Sequence, residues 1–146
     1  MYKSFYLTLG ISFFIMYGVM FLNLADSGDI FFSITRTYMS LLMVSPMAVV
    51  IVLMMGQMYP DKKKNTIILF TGIAGFVIAF ILLRTQPPIG EVQYMKAMIP
   101  HHCSAVMTSK HVDLKDPEVR ALAASIVQSQ EEEIKEMKAI INRIQK

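Results

Sequence analysis

Three windows without a charged residue occupy the first half of this chain. They are Ser4–Ala25, Thr37–Pro60 and Asn65–Leu83, set off by Lys3, Asp26, Arg36, Asp61, Lys64 and Arg84. A hydrocarbon core about 30 Å thick takes about 20 apolar residues in a helix. Inside it every backbone N–H and C=O must be satisfied within the segment, so each window is predicted to be a helix. The expected spans are about 5–24, 37–58 and 66–83. They divide the chain into a three-helix membrane anchor, residues 1–83, and a polar remainder, residues 84–146. The first window exceeds the apolar core of a secretory signal and no small-x-small cleavage pattern follows Leu24, so it is expected to stay as an anchor.

Loop charge sets the expected orientation. Lys62-Lys63-Lys64 is the strongest basic cluster and places the loop between spans two and three, with the N-terminus, in the cytoplasm. The loop Asp26–Arg36 then lies outside, as do residues 84–146. In a bacterium this is a plasma (inner) membrane protein with a periplasmic or external C-terminal domain. The lipid bilayer is one partner. The lysines form no basic stripe, so nucleic acid is not expected.

Met39, Met43 and Met47 share one face of span two, and Met54/Met58 and Met16/Met20 repeat the spacing. They read first as apolar packing and second as a thioether ladder. No Cys, His or acidic residue lies in any span, which argues against a transport path.

In the polar remainder Thr85-Gln86-Pro87-Pro88 cannot continue span three. A helix is predicted from about Glu91 to His111, then a turn over Asp113–Pro117. Asp116-Pro117-Glu118 is a helix start, with an acid at the cap and Pro at the first helical position. The second helix runs to near the C-terminus on Val119, Leu122, Ala123, Ile126, Ile134, Met137, Ile141 and Ile144. Glu131-Glu132-Glu133 is expected mostly as a solvated face. The fold class is therefore all-α: three transmembrane helices, then an extracytoplasmic two-helix hairpin. Such a hairpin buries little apolar area alone. A homodimer or higher homo-oligomer is expected, two copies making a four-helix bundle.

All three histidines (His101, His102, His111) and the only cysteine (Cys103) fall within eleven residues of the first of these helices. Met95, Met98 and Met107 accompany them, and Met137 sits on the returning helix. Imidazole, thioether and thiol suit soft or borderline metals, Cu(I) above all, with Cu(II) possible. Zn(II) is the lesser alternative. On a helical projection Glu91, Met95, Met98 and His102 cluster on one side with Ile99 and Val106. Cys103, Met107 and His111 form a second line, with His101 apart. One helix thus offers two half-sites, and Met137 is placed to complete one. Glu91 is the only carboxylate expected near the motif. Pro100 removes a backbone hydrogen bond and is expected to bend the helix. Adjacent histidines make poor core residues; Met95 reads as core before ligand, while Cys103 and His111 read equally as bystanders or ligands.

The pattern Glu91-x-x-Tyr94-x-x-x-Met98-Ile99-Pro100-His101-His102-x-x-Ala105-x-Met107, then Asp116-Pro117-Glu118-Val119-Arg120-x-Leu122-Ala123, then Gln130-x-x-Glu133-Ile134-x-x-Met137, resembles the family catalogued as domain of unknown function 305. The resemblance covers about residues 91–141. It implies a ferritin-like, His/Met-rich helical domain, extracytoplasmic and copper-binding, linked to copper tolerance. Its motif positions here are Met98, His101, His102, Met107 and Met137. Cys103 departs from the pattern, standing where the family commonly has a polar residue. Ile140 stands where a Trp often follows the methionine.

The resulting expectation is a membrane-anchored copper-binding protein, not an enzyme, that buffers copper or passes it to an accepting partner protein. The alternatives are a metal-independent oligomerisation or docking module and a ferritin-like metal oxidase. The oxidase lacks the Glu-x-x-His pattern of such sites.

Overall fold

The computed structural model describes residues 2–146. Its regular elements are five helices: α1 (Tyr2–Val19), α2 (Ile34–Met54), α3 (Lys62–Thr85), α4 (Glu91–His111) and α5 (Pro117–Ile144). Short 3-10 turns at Ser27–Asp29 and Gly56–Met58 interrupt two of the connections. The described residues contain no strand, so the all-α class holds. The chain forms two compact units. One comprises the residues up to Met20 with Thr35–Pro88, and the other comprises Phe21–Ile34 with Ile89–Lys146.

In the first unit, α2 and α3 are each long and apolar enough to cross a membrane. All three helices are shifted from the charge-free windows, for local reasons. α1 ends at Val19, and the Met20 carbonyl just beyond it accepts a hydrogen bond from Arg36 Nη1 at 2.7 Å. A basic side chain on the last carbonyls is a natural helix stop. α3 starts at Lys62, ahead of the apolar run, because the Asp61 side chain caps it by accepting from Lys64 N at 3.1 Å. It ends where Gln86 turns left-handed, φ 52°. α2 and α3 meet over small residues. A Cβ on Gly72 would lie 2.7 Å from Val49 Cγ2 and 3.2 Å from the Ser45 carbonyl, so a larger residue there would force the two helices to adjust. Small residues at such crossings let helix backbones approach closely. Phe5, Ala48, Val52, Tyr59 and Ile68 form this unit's core.

The second unit is built on the predicted hairpin, and both helices keep their expected limits. Met95, Ile99, Cys103 and Val106 are buried along one stripe of α4. The first three of these pack with Ile134 and Ile141 of α5. The α5 start is capped as its sequence requires, with Asp116 Oδ1 accepting from Glu118 N and Val119 N at 2.8 and 3.0 Å. Pro100 lies inside α4, fully buried, and the helix runs through it.

One expectation is corrected. Span one was expected over about residues 5–24, but α1 ends at Val19, and residues 21–34, which include most of the Asp26–Arg36 loop, form a third layer of the hairpin. Leu24 and Phe31 pack on its core. Asn23 Nδ2 donates to Ser104 Oγ at 2.6 Å, and Ile34 N donates to Gln93 Oε1 at 3.3 Å. Asp29 is 4% exposed and forms an ion pair with Lys138 of α5. A buried carboxylate needs such a counter-charge. This strap supplies part of the apolar burial that a lone hairpin lacks.

Candidate metal centre

The structure distributes the eight sequence-selected residues over three environments. Met95 (6% exposed) and Cys103 (1%) are core residues, and Met137 packs against that core. His102 is buried at its edge. Met98 and Met107 are half-buried, and His101 and His111 are exposed.

Cys103 is enclosed by the strap. Ala25 N–H donates to its Sγ at 3.1 Å. Burial and the neighbouring Asp29 carboxylate push its thiol above the ordinary value. A thiol that resists ionisation is a poor nucleophile and, unopened, a poor metal ligand.

The histidines follow a shared rule. His102 Nδ1 lies 2.9 Å from the Met98 carbonyl, and His111 Nδ1 lies 2.8 Å from the Met107 carbonyl. A carbonyl only accepts, so Nδ1 carries the proton in each ring. In His111 that leaves Nε2 open, an arrangement typical of metal-binding histidines. In His102 the Nε2 edge faces the Glu133 carboxylate, which also only accepts, so that nitrogen donates while the contact holds. Each imidazole also sits one turn after a methionine, so the thioether and ring share a helix face.

The two pairs are nine residues apart, which is two and a half turns. They therefore lie on opposite faces of α4, about 13 Å apart along its axis. The projected half-sites are accordingly regrouped. Met98 pairs with His102 and Met107 with His111, while Cys103 leaves the Met107 line for the core. The His101 ring stands edge-on to His102, centroids 6.1 Å apart.

The sequence also missed a carboxylate. His102 Nε2 lies 2.7 Å from Glu133 Oε2. Glu133 was expected in a solvated run, and Glu91 as the only nearby acid. Two of the three glutamates in fact reach α4, since Glu131 pairs with Lys110 at 2.6 Å. Ser129 Oγ donates to Glu133 Oε1 at 2.9 Å. That hydroxyl first, and His102 second, hold the Glu133 carboxyl below its ordinary value. The missed signal was positional: Glu133 sits one turn before Met137 on α5. Among the described residues no three His, Cys, Asp or Glu side chains converge as a metal-binding group. A site here must therefore draw on thioethers. By donor chemistry, His102 with Glu133 against it, Met98 one turn before it on α4 and Met137 one turn after Glu133 on the facing α5 form a donor set that fits a borderline-soft ion.

Comparison with known proteins bears on the same segment. The family model described as "Domain of unknown function (DUF305)" matches residues 83–143. "Uncharacterized protein L153" of Acanthamoeba polyphaga mimivirus is 38% identical over 117 residues, 79% of this chain and 75% of the relative. That likeness exceeds the family segment and takes in part of the apolar helices. No solved structure matches. With the Met98-Ile99-Pro100-His101-His102 motif and its paired methionines seated on the matched hairpin, the chain belongs to the DUF305 family.

Proposed function

We propose that this protein is a membrane-anchored, extracytoplasmic copper-binding protein that holds Cu(I) and passes it to a partner. The repeated Met-x-x-x-His arrangement carries the reading. Twice on α4 an imidazole is oriented by the carbonyl of the methionine four residues earlier; Nε2 is open in His111 and engaged by Glu133 in His102. His102, with Met98 and Met137, is the holding site, and Glu133 is the group the metal displaces from Nε2. Met107 and His111, on the opposite and more open face, form the transfer site. Copper bound there supplies no reaction of its own and is the cargo. At His102 it must replace the Glu133 contact, so affinity falls as pH drops and the ring keeps its protons.

Membrane anchorage is supported by the two long apolar helices and by their side chains. Phe70 is 71% exposed and Leu53 65%, which suits lipid and not water. α1, 18 residues long and about 27 Å, completes the anchor as its third span. The strap and the hairpin share one compact unit, which is compatible with a three-span topology in either orientation.

The test is metal content and Cu(I) competition titration of the full chain in detergent, wild type against the His102→Ala/His111→Ala double variant. Copper retained by the wild type and lost by the variant upholds the reading. Equal binding rejects it.

A second reading has its own observation. Val119, Leu122 and Ile126 form an exposed apolar stripe on α5, with Leu122 61% exposed. A metal-independent docking or dimerisation module uses that stripe. It predicts normal assembly in the histidine double variant and no response to copper.

A further inference from the structure

The basic cluster at the start of α3 is not uniform. Lys64 is occupied, 3.3 Å from Asp61 Oδ2 and 5.1 Å above the Tyr2 ring. Tyr2 and its neighbours form a closed polar cluster around it. Tyr2 Oη donates to Asn65 Oδ1 at 2.9 Å, and Asn65 Nδ2 donates to the Tyr59 carbonyl at 2.8 Å. Lys62 and Lys63 lie outside this cluster and are exposed. Neither forms an ion pair among the described residues. They line an open cleft of about 400 Å³ with Thr66 and Ile67.

Below the cleft the same face of α3 turns apolar. Lys63 is followed at helical spacing by Ile67, Phe70, Ala74, Val77 and Ile81. Ile67 is 58% exposed, Val77 47% and Ile81 51%. Two unpaired cations stand at the head of a continuous apolar track of membrane-spanning length. That combination matches an anionic headgroup with its acyl chain, and no soluble anion uses the lower part.

We propose that Lys62 and Lys63 form the headgroup site for one anionic phospholipid, whose acyl chain lies along Ile67, Phe70 and Val77. The proposal rests on the membrane reading given above. Lysines beside a membrane surface attract anionic lipid additively, and the attraction is screened by salt.

The test uses the full chain in phosphatidylcholine bilayers with spin-labelled phosphatidylglycerol or phosphatidylcholine as probe. The wild type should prefer phosphatidylglycerol, and Lys62→Gln/Lys63→Gln should lower that preference about five-fold or more. Lys62→Arg/Lys63→Arg should restore it, and Lys64→Gln should change it little. A preference retained by the double glutamine variant overturns the proposal. So does a preference abolished by millimolar glycerophosphate in solution, which would make the ligand a free phosphate ester. Flotation with vesicles after carbonate extraction separates the two readings. A chain that floats but shows no preference defeats only the lipid site. A chain that does not float defeats the membrane reading and the site with it.

Discussion

Met98/His102 and Met107/His111 share one local device and differ in everything around it. Both histidines donate Nδ1–H to the carbonyl of the methionine one turn back. Helix geometry alone provides that, since i and i+4 are neighbours on the surface. Yet His102 is 8% exposed and faces a glutamate on α5, whereas His111 stands exposed at the end of α4. The helix fixes ring orientation; the facing helix decides access. On the reading proposed above, the enclosed pair holds the metal and the exposed pair meets the partner.

Separating the two pairs gives the largest expected effect. His102→Ala should weaken Cu(I) binding at the tighter site by about 100-fold, since loss of even an outer partner of a metal ligand costs about 10- to 100-fold. His111→Ala should leave that affinity within about three-fold and slow transfer to an acceptor chelator. Chelator competition and stopped-flow transfer read the two quantities. Equal losses of affinity in both variants would erase the distinction between holding and transfer.

The strap makes the second contrast, because it covers Cys103 and leaves His111 exposed. Asp29→Ala leaves Lys138 without its partner. Breaking a buried pair costs about 3–5 kcal/mol. Lys138 is 35% exposed at its side chain, so about 2 kcal/mol is the better expectation here. For a unit of this size that lowers the Tm by roughly 10 °C. Maleimide labelling of Cys103 should accelerate at least ten-fold as the strap loosens. A variant with an unchanged melting curve and unchanged labelling would show that the strap adds neither stability nor cover.

The parts legible in the sequence and the parts that were not differ in physical origin. α4 and α5 could be read to the residue because Asp116-Pro117 and the double proline at 87–88 are local signals, and local hydrogen bonds obey them. The apolar helices were legible as charge-free windows. Their limits were not, because Asp61 capping and the Arg36–Met20 bond place helix ends independently of hydropathy. The strap was hidden. Leu24, Asp29 and Phe31 have no periodicity of their own, and their partners lie some 70 to 110 positions away in the chain. Glu133 was hidden by its company, since a run of three glutamates looks solvated until α4 is laid beside it. The Met/His pairs were visible as spacing. What spacing did not show was that Cys103 faces the core while its wheel neighbours Met107 and His111 do not.

Alkaline pH should sharpen the strap contrast by a smaller amount. The Cys103 thiol is held above its ordinary value by burial and by Asp29. Its contribution to stability is then fully present below the ordinary thiol value, about 8.5, and is lost as pH rises toward the raised folded value. Wild type should lose stability more steeply than Cys103→Ala above that point. Parallel pH curves for the two in thermal melts would mean the thiol is as solvated folded as unfolded.

The smallest expected effect belongs to Glu133, and it has the opposite sign in pH. Its carboxyl is held low by the Ser129 hydroxyl and then by His102. Such a group stabilises the fold above its ordinary value, near 4.3, and the benefit fades as pH falls through the lowered folded value. The side chain is 49% exposed, so solvent screens most of the gain. Glu133→Gln keeps a hydrogen-bonding group beside His102 but removes the charge. Its melting temperature should match wild type at neutral pH within about 2 °C and fall less than wild type's on acidification. Copper binding gives the same residue a second, independent measurement. If Glu133 only competes with the metal for Nε2, Glu133→Gln should bind Cu(I) as tightly as wild type or tighter, with a shallower dependence on pH. A clear loss of affinity would instead make the carboxylate a ligand, and the holding site would then differ from the transfer site in its donor atoms as well as in its access.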